Sequence, residues 1–134
     1  FVTAAWVFLD VAAGRMRYAA AGHPPLLVWR AATGRVERVT ENGLLMGAFA
    51  SAEYTEVERP LDPGDRMLLY TDGIAEAANA ADEEFGLDRL EAVLAETAPL
   101  ALSAQADAIL DRLTGWRGTV PQGDDVTLVL LART

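Results

Sequence analysis

Short apolar segments separated by glycine, proline and charged residues dominate the first half of the chain. Phe1–Val11 is nearly all apolar and rich in β-branched and aromatic residues, which predicts a strand buried on both faces. Met16–Gly22 alternates larger apolar residues with arginine and small residues, so we expect a second strand that pairs back as a hairpin. The His-Pro-Pro segment at 23–25 should end this strand, because proline cannot donate to a strand ladder.

The same reasoning predicts further strands before residue 72 and one more at the end of the chain. The glycine-punctuated apolar stretch Glu41–Ser51 lies between two of them, and we expect it to pack as a loop. A turn is expected at Asp62–Asp65, where Pro63 is preset for the second position of a β-turn. The predicted strands are Leu26–Arg30, Val36–Thr40, Tyr54–Leu61, Arg66–Thr71 and a strongly buried Asp124–Thr134.

Helical periodicity is confined to the region between the last two predicted strands. A short helix is expected at residues 74–80, and Leu87–Glu96 has an apolar stripe opposite acidic residues. Ser103 is expected to cap a third helix. The apolar face of that helix consists of Ala106, Ile109, Leu110 and Leu113. Strands, then helices, then one closing strand predict an α+β fold of antiparallel sheets with helices packed on them.

Composition and charge narrow the class of protein. The 134 residues fit one domain or most of one, and a hydrophobic fraction of 51% excludes a disordered segment. The formal net charge of −9 argues against nucleic acid or an anionic membrane surface as a partner. Because there is no cysteine, disulfides, thiolate zinc sites and cysteine nucleophiles are excluded.

Two further features concern the setting of the chain. No apolar run approaches the roughly 18–20 residues that a membrane span needs, so we expect a cytoplasmic protein. The first residue is Phe rather than Met, and it opens directly into apolar sequence, whereas natural domain starts are usually polar and frayed. We therefore expect the chain to be a piece of a longer protein.

Carboxylates flank two of the predicted buried strands. Asp72 directly follows Arg66–Thr71, and Asp124 and Asp125 stand at the start of the closing strand. If these strands are antiparallel neighbours, the carboxylates converge at one edge of the sheet. Two carboxylates about 4–5 Å apart repel by roughly 3–4 kcal/mol at an effective dielectric constant near 20. A shared proton, a basic residue or a divalent cation could offset that repulsion, and oxygen-only ligation suits Mg²⁺ or Mn²⁺.

A simpler interpretation of the same residues stays open. Asp-Gly after a strand is usually a turn, and Gly-Asp-Asp before a strand is usually a solvated start. Short aspartate motifs alone therefore do not decide between a metal site and two turns.

Six sequence blocks occur along the chain in a fixed order. They read FVTAAWVFLD, YAAAGHPPLLVWR, GLLMG, LDPGDRMLLYTDGIAEAAN, EFGLDRL and GDDVTLVLL. In this order they resemble the stage II sporulation protein E-like branch of the bacterial metal-dependent, type 2C-like (PPM) protein serine/threonine phosphatases. The resemblance covers essentially the whole chain, and PGDRMLLYTDG and DDVT are its most specific parts.

The resemblance implies an αββα sandwich, two stacked antiparallel sheets flanked by helices, with two Mn²⁺ or Mg²⁺ ions at one edge. Asp72 and Asp124 match metal ligands of the family and are the implied catalytic aspartates. Gly73 would give the backbone room close to the metals. Asp125 either contributes to the metal site or is a turn residue.

Two other residues near these motifs have more than one interpretation. His23 could orient a water, donate to the phosphate or shuttle a proton, and it is included among the implied catalytic residues. A lone histidine rather favours the simpler interpretation, a hydrogen bond to backbone at a strand end before two prolines, and the resemblance narrows this preference without removing it. Glu76 either supports the metal site or is a solvated residue near a helix N-terminus.

The family also carries a metal-bridging aspartate in a glycine-rich stretch that residues 1–134 do not contain. Residues 1–134 are therefore expected to form a single PPM-type domain that is truncated at its N-terminus and matches the later two-thirds of such a domain. Two metals roughly 3.5–4 Å apart need bridging ligands, so metal affinity and activity should fall without that aspartate. The missing strand should also leave an open sheet edge.

The implied activity is hydrolysis of phosphoserine or phosphothreonine on a regulatory protein of the anti-anti-sigma type, by direct attack of a metal-activated water. Such a protein would act in a partner-switching pathway that regulates a sigma factor, with a sensor or receiver domain upstream in the same chain. The alternative is a non-catalytic module that binds a partner. The absent aspartate favours this alternative, and the retained Asp72 and Asp124 oppose it.

Overall fold

A computed structural model describes all of residues 1–134. Seven strands and three helices follow one another in the predicted order. They are β1 (Ala4–Asp10), β2 (Arg15–Ala21), β3 (Leu26–Arg30), β4 (Arg35–Val39), β5 (Val57–Pro60), β6 (Arg66–Tyr70), α1 (Asp72–Ala75), α2 (Gly86–Thr97), α3 (Leu102–Arg117) and β7 (Leu128–Ala132). None of these helices combines the length and the apolar composition needed to cross a membrane.

The strands form two antiparallel sheets. One has three strands in the order β1-β2-β5, and the other has four in the order β4-β3-β6-β7. The predicted hairpin is confirmed, since β1 pairs with β2 from Ala4 opposite Ala21 to Asp10 opposite Arg15. In the second sheet β6 lies between β3 and β7 and is antiparallel to both. The predicted α+β fold of stacked antiparallel sheets with helices is therefore confirmed.

An apolar layer joins the two sheets. Successive side chains of a strand point to opposite faces, and in β2 this places Met16, Tyr18 and Ala20 in the space between the sheets. Leu26 and Val28 of β3 meet them from the other side. All five are at most 4% exposed, so this layer is a closed core.

The second core lies between the four-stranded sheet and the helices. Leu27 on β3 and Leu68 on β6 face this side, because they alternate with the residues that face the other sheet. The residues that cover them come from the helices and from Phe85, which directly precedes α2. The helix residues are Ile74, Leu90, Val93, Leu94, Ile109 and Leu113. The apolar stripe predicted for α2 consists of Leu87, Leu90 and Leu94, of which Leu90 and Leu94 are buried and Leu87 is partly buried against the same core.

A fully buried glutamine ties the helices to the sheet. Gln105 on α3 donates from Nε2 to the carbonyl of Leu94 at 3.1 Å and to Oγ1 of Thr97 at 3.2 Å, both on α2. Its Oε1 accepts from Arg66 on β6 at 2.6 Å. Because each polar atom of the buried amide has a partner, the group fixes how α2, α3 and β6 meet instead of destabilising the core.

The prediction that Phe1–Val11 is buried on both faces is wrong. In β1, Trp6 is 47% exposed and Phe8 is 43% exposed. They lie on the outer face of the three-stranded sheet, where this chain places no helix. The guanidinium of Arg17 on β2 lies 4.6 Å from the Phe8 ring centre and 5.7 Å from the Trp6 ring centre. These cation–π contacts partly cover the two exposed rings.

The helices lie on one side of the sandwich only. All three contribute to the core beneath the four-stranded sheet, and none contributes to the core between the sheets. Within residues 1–134 the expected αββα sandwich is thus a three-layer ββα arrangement. The second helical layer implied by the resemblance is not part of it.

Three smaller expectations are also corrected. The apolar loop Glu41–Ser51 is not well packed, since Leu44, Met46 and Phe49 are exposed. The closing strand is an edge strand and only half-buried, because nothing pairs with its second side. The residue before α3 is Ala101, so Ser103 lies inside the helix and does not cap it.

A buried carboxylate secures the turn that leads into β6. Asp65 is 1% exposed, and its oxygens accept from the Arg30 guanidinium at 2.8 Å, the Ala31 amide at 2.9 Å and the Asp62 amide at 3.0 Å. Arg30 also pairs with Glu37 on β4. Because the charge is paired and both oxygens are satisfied, the desolvation cost of burying it is offset. The contact ties the start of β6 to the end of β3.

We expect Asp65→Ala to lower the free energy of unfolding by about 3 kcal/mol, because it leaves Arg30 and two amides in a poorly solvated place. Glu58→Ala removes the exposed Arg15–Glu58 pair and should cost less than about 1 kcal/mol. Urea denaturation of both variants measures the difference. Equal losses would contradict a special role for the buried carboxylate.

Candidate functional site

The site lies at the edge of the four-stranded sheet where β6 ends and β7 begins. Tyr70, the last residue of β6, is opposite Leu128, the first of β7. Beyond the strands the pairing continues, since the Thr71 amide donates to the Thr127 carbonyl at 3.0 Å. The prediction that these two strands are antiparallel neighbours is confirmed, and the segments carrying Asp72 and Asp124 therefore meet.

Thr71 connects the two segments through hydrogen bonds of its hydroxyl group. Its hydroxyl donates to the Asp125 carbonyl at 2.9 Å and accepts from the Thr127 amide at 3.0 Å. One side chain thus holds the backbone on both sides of Val126. In the sequence Thr71 is only the last residue of a predicted strand. A hydroxyl at the junction of a strand with Asp-Gly was the one available signal.

Gly73 is the point of closest approach between the segments. It is buried at the start of the four-residue helix α1. A Cβ built on Gly73 would overlap the carbonyl oxygen of Asp125 and would lie 3.4 Å from the carbonyl carbon of Asp124. No side chain fits there without moving one of the segments. Gly73 therefore sets how closely Asp72 and Asp124 approach each other.

The two aspartates point outward from this junction. The side chains of Asp72 and Asp124 are exposed. Each uses one carboxylate oxygen to accept from the following amide, Gly73 at 3.0 Å and Asp125 at 2.7 Å. The second oxygen of each carboxylate has no protein partner among the hydrogen bonds of this structure. Asp125 takes part in the junction through its backbone oxygen, which accepts from the Thr71 hydroxyl.

His23 lies at the same edge. The β3–β6 register pairs Leu27 with Leu68, and its continuation places His23 beside Asp72. Burial lowers the pKa of the His23 imidazole, while the charge of Asp72 and a loose contact with the Tyr70 backbone act in the opposite direction. Its Nδ1 is buried and makes no hydrogen bond of good geometry. The ring is thus held next to Asp72 without a strong partner of its own.

A cavity of about 350 Å³ opens beside the junction. One wall is formed by Gly73 and Glu76, and another by the loop that leads from α3 to Asp124. Arg117, in the last turn of α3, also lines it. Asp72 and His23 do not line this cavity, so it adjoins the aspartates on the side of Asp124. In the sequence Arg117 carries no signal that distinguishes it from the other arginines.

The donor chemistry fits a hard divalent cation, but the donor number falls short. Free carboxylate oxygens are the ligands that Mg²⁺ and Mn²⁺ prefer. However, no three His, Asp or Glu side chains come close enough together to hold a metal ion. Asp72, Asp124 and His23 are brought to one edge without forming such a cluster. Residues 1–134 therefore do not bring together a complete set of ligands for such an ion.

Solved structures of phosphatase domains share this fold. The SiaA-PP2C domain of Pseudomonas aeruginosa superposes with a TM-score of 0.84 and 28% identity, over 98% of this chain and 51% of that one. The RsbU and RsbW domains of Rv1364c from Mycobacterium tuberculosis give 0.73 and 26%, over 98% of this chain and 36% of that one. The phosphatase domain of SpoIIE from Bacillus subtilis, presoaked in Mn, gives 0.69 and 17%, over 98% and 56%. The last of these shows the fold alone.

Curated relatives are much longer than this chain. Protein IcfG of Synechocystis is 29% identical over 134 residues, which are 99% of this chain and 21% of that protein. Phosphoserine phosphatase RsbP of Bacillus subtilis is 32% identical over 74 residues, which are 55% of this chain and 18% of that protein. The family model for stage II sporulation protein E (SpoIIE) matches residues 1–134. With the sheet edge and the motif order above, this match shows that the chain belongs to the SpoIIE family of PP2C-type phosphatase domains.

Proposed function

We propose that this chain forms the part of a metal-dependent protein serine/threonine phosphatase that carries Asp72 and Asp124. The observation that supports it best is the junction at Gly73, where two segments far apart in sequence are packed so tightly that their aspartates share one edge. A structural turn alone does not require this closeness. Two exposed carboxylates that share one sheet edge repel each other, so their common position favours a site that binds a cation.

Asp72 and Asp124 would hold the cation through the carboxylate oxygens that are free of backbone contacts. When bound, Mn²⁺ or Mg²⁺ supplies positive charge that polarises a phosphate ester and lowers the pKa of water. In the complete site two such ions are expected. Asp125 and Gly73 support the ligands, Asp125 through its backbone and Gly73 by leaving space.

Hydrolysis transfers the phosphoryl group from the serine or threonine oxygen to water. The P–O bond to the side chain breaks, a P–O bond to the water oxygen forms, and a proton passes from water to the departing alkoxide. His23 is a candidate to carry that proton, because its pKa is lowered by burial and it lies beside Asp72. No cysteine is present to form a phosphoenzyme.

The substrate class follows from the relatives by analogy. RsbP is called a phosphoserine phosphatase. By that analogy the substrate is a protein phosphorylated on serine. The family resemblance adds the proposal that this protein is a regulatory protein of the anti-anti-sigma type in a partner-switching pathway, and that the parent protein carries a sensor or receiver domain.

A second candidate function is a non-catalytic module that binds a phosphoprotein partner. The observation in its favour is that no three metal-ligating side chains cluster at the site. Two carboxylates bind a divalent cation more weakly than a full ligand set. The two candidates differ in what Mn²⁺ does and in whether phosphate is released.

We expect Mn²⁺ to raise the thermal stability of the chain, and Asp72→Asn or Asp124→Asn to abolish the rise. A cation that binds only the folded state adds about 2.7 kcal/mol at 100 times its dissociation constant. Asp107→Asn, which removes an exposed carboxylate of α3, is the matched control and should keep the full rise. Melting curves with and without millimolar Mn²⁺ give the comparison.

Phosphate release from a phosphoserine protein separates the two candidate functions. Release that depends on Mn²⁺ and on both aspartates is the result expected for a phosphatase. A Mn²⁺-dependent stability rise without release would favour the binding module. If Mn²⁺ leaves the wild-type melting curve unchanged, or raises all four proteins equally, the aspartates are not a cation site.

We expect Gly73→Ala to cost about 1–3 kcal/mol and to weaken the Mn²⁺ effect, because the added methyl group pushes the Asp124 segment away. Gly115→Ala is the control, since a Cβ at Gly115 on α3 meets nothing within 4 Å. That change should raise stability by about 0.5–1 kcal/mol, as alanine favours the helix. Urea denaturation measures both. A stable Gly73→Ala protein with unchanged Mn²⁺ response would show that the close approach is not required.

A further inference from the structure

Arg117 is a cation without a partner in a strongly acidic chain. The chain has 20 acidic and 11 basic residues, so carboxylates are plentiful. Nevertheless, no carboxylate oxygen lies within 4.0 Å of a guanidinium nitrogen of Arg117. The buried Nε of Arg117 also makes no hydrogen bond. Buried polar groups normally have a partner, so this one calls for an explanation.

The other arginines of the helical layer are engaged. Arg89 donates to the carbonyls of Glu84 and Phe85 and lies 4.0 Å from the Trp116 ring centre. Arg112 pairs with Glu96 at 2.8 Å. A cation in the last turn of a helix is favourable because of the helix dipole, and this accounts for an arginine at 117 in general. It does not account for the buried Nε or for the position on the cavity wall.

Backbone hydrogen bonds around Arg117 end α3 at the cavity. Gly118 follows in the left-handed region, with φ of 58°, and its amide donates to the Thr114 carbonyl at 3.1 Å. The Val120 amide then donates to the Arg117 carbonyl at 3.1 Å. These bonds end α3 sharply and turn the chain toward Asp124. The end of α3 therefore places Arg117 at the wall of the cavity.

Arg117 is the only cationic residue that lines the 350 Å³ cavity. The guanidinium presents several N–H donors in a planar fork that matches carboxylate and phosphate oxygens. Val120 and Pro121 supply an apolar wall beside it. Glu76 and Asp124 line the same cavity and repel an anion. Binding of an anionic group is therefore favourable only where the group reaches Arg117.

We propose that Arg117 is a substrate-binding residue that receives an anionic group of the phosphoprotein in this cavity, next to Asp124. The anionic group is either the phosphate itself or an acidic side chain close to it in sequence. This role rests on the phosphatase function proposed above and adds a residue that selects substrates. The guanidinium forms charge-assisted hydrogen bonds, and no covalent step is involved.

Peptide binding without metal tests this role. The binding of three peptides to the whole chain is measured by isothermal titration calorimetry. All three have the same length and contain one serine. The first is phosphorylated on that serine and has neutral flanking residues, the second is unphosphorylated with two glutamates beside the serine, and the third is neutral. Wild type should bind at least one of the two anionic peptides more tightly than the neutral one. Arg117→Ala should weaken that binding about tenfold, because a charge-assisted hydrogen bond is lost.

The anionic peptide that responds identifies the group that Arg117 receives. Arg117→Lys keeps the charge but loses the fork, so it should fall between wild type and Arg117→Ala. Arg112→Ala removes an equal charge from the same helix away from the cavity and should change binding less than twofold. Melting curves of all variants check that they fold. If Arg117→Ala does not fold, the binding measured with Arg117→Lys decides the test.

Three results would overturn the role of Arg117. They are equal binding of anionic and neutral peptides by wild type, unchanged binding in both Arg117 variants, and an equal loss in Arg112→Ala. The Mn²⁺ melting experiment is independent of these titrations. If Mn²⁺ raises the stability but the Arg117 variants bind the peptides like wild type, the proposed phosphatase function stands and the role of Arg117 is wrong. If the Arg117 variants lose binding but Mn²⁺ does not change the stability, an anion site remains and the proposed phosphatase function is wrong.

Discussion

The antiparallel pairing of β6 with β7 is the constraint on which the site depends. Five residue pairs join the strands from Arg66–Ala132 to Tyr70–Leu128, and each unpaired backbone group would be costly at this depth. The pairing brings the chain's last strand back to the end of β6. Thr71 extends it by one more step, and Gly73 then allows the two segments to touch. Without this pairing Asp72 and Asp124 would be separate turn residues.

Buried polar contacts fix the register that this pairing needs. Asp65 anchors the entry to β6 by accepting from Arg30 and from two backbone amides. Gln105 connects Arg66, the first residue of β6, with both long helices. A slip of one residue in β6 would turn Leu68 from the helical core toward the other sheet and would break both contacts. The site is thus positioned by β6, which is fixed at its start by Asp65 and Gln105, along its faces by the two cores, and at its end by Thr71.

Charge is distributed unevenly around the cavity. Asp124 and Glu76 make one part of it negative, and Arg117 supplies the single positive group. A net charge of −9 makes a free anion an unfavourable ligand over most of the surface. The proposed selection of an anionic segment therefore depends on local geometry, namely an arginine at the end of α3 that lines the same cavity as Asp124. A cation at the aspartates would strengthen the same preference.

The local pattern of the sequence was enough for the elements and the fold class. Period-two alternation in β2, the leucine stripe of α2 and the turn before β6 are short-range signals, and they placed nearly every strand and helix within a few residues. Asp72, Gly73 and Asp124 were also singled out from their motifs. Burial was predicted less well. Trp6 and Phe8 have the composition of a buried strand, but burial depends on whether another layer covers the strand, and that is a property of the whole assembly.

The tertiary structure decided the contacts that join residues far apart in the chain. Thr71 acquires its role from a carbonyl fifty-four positions away, and Gln105 is buried only because two helices and a strand meet around it. Arg117 looks in sequence like an ordinary basic residue at a helix end, and its lack of a partner depends on where every carboxylate lies. By itself the sequence determined which residues could form strands, helices and metal ligands, because those preferences are local. Only the folded chain decided which of them meet, because strand pairing and packing act through space.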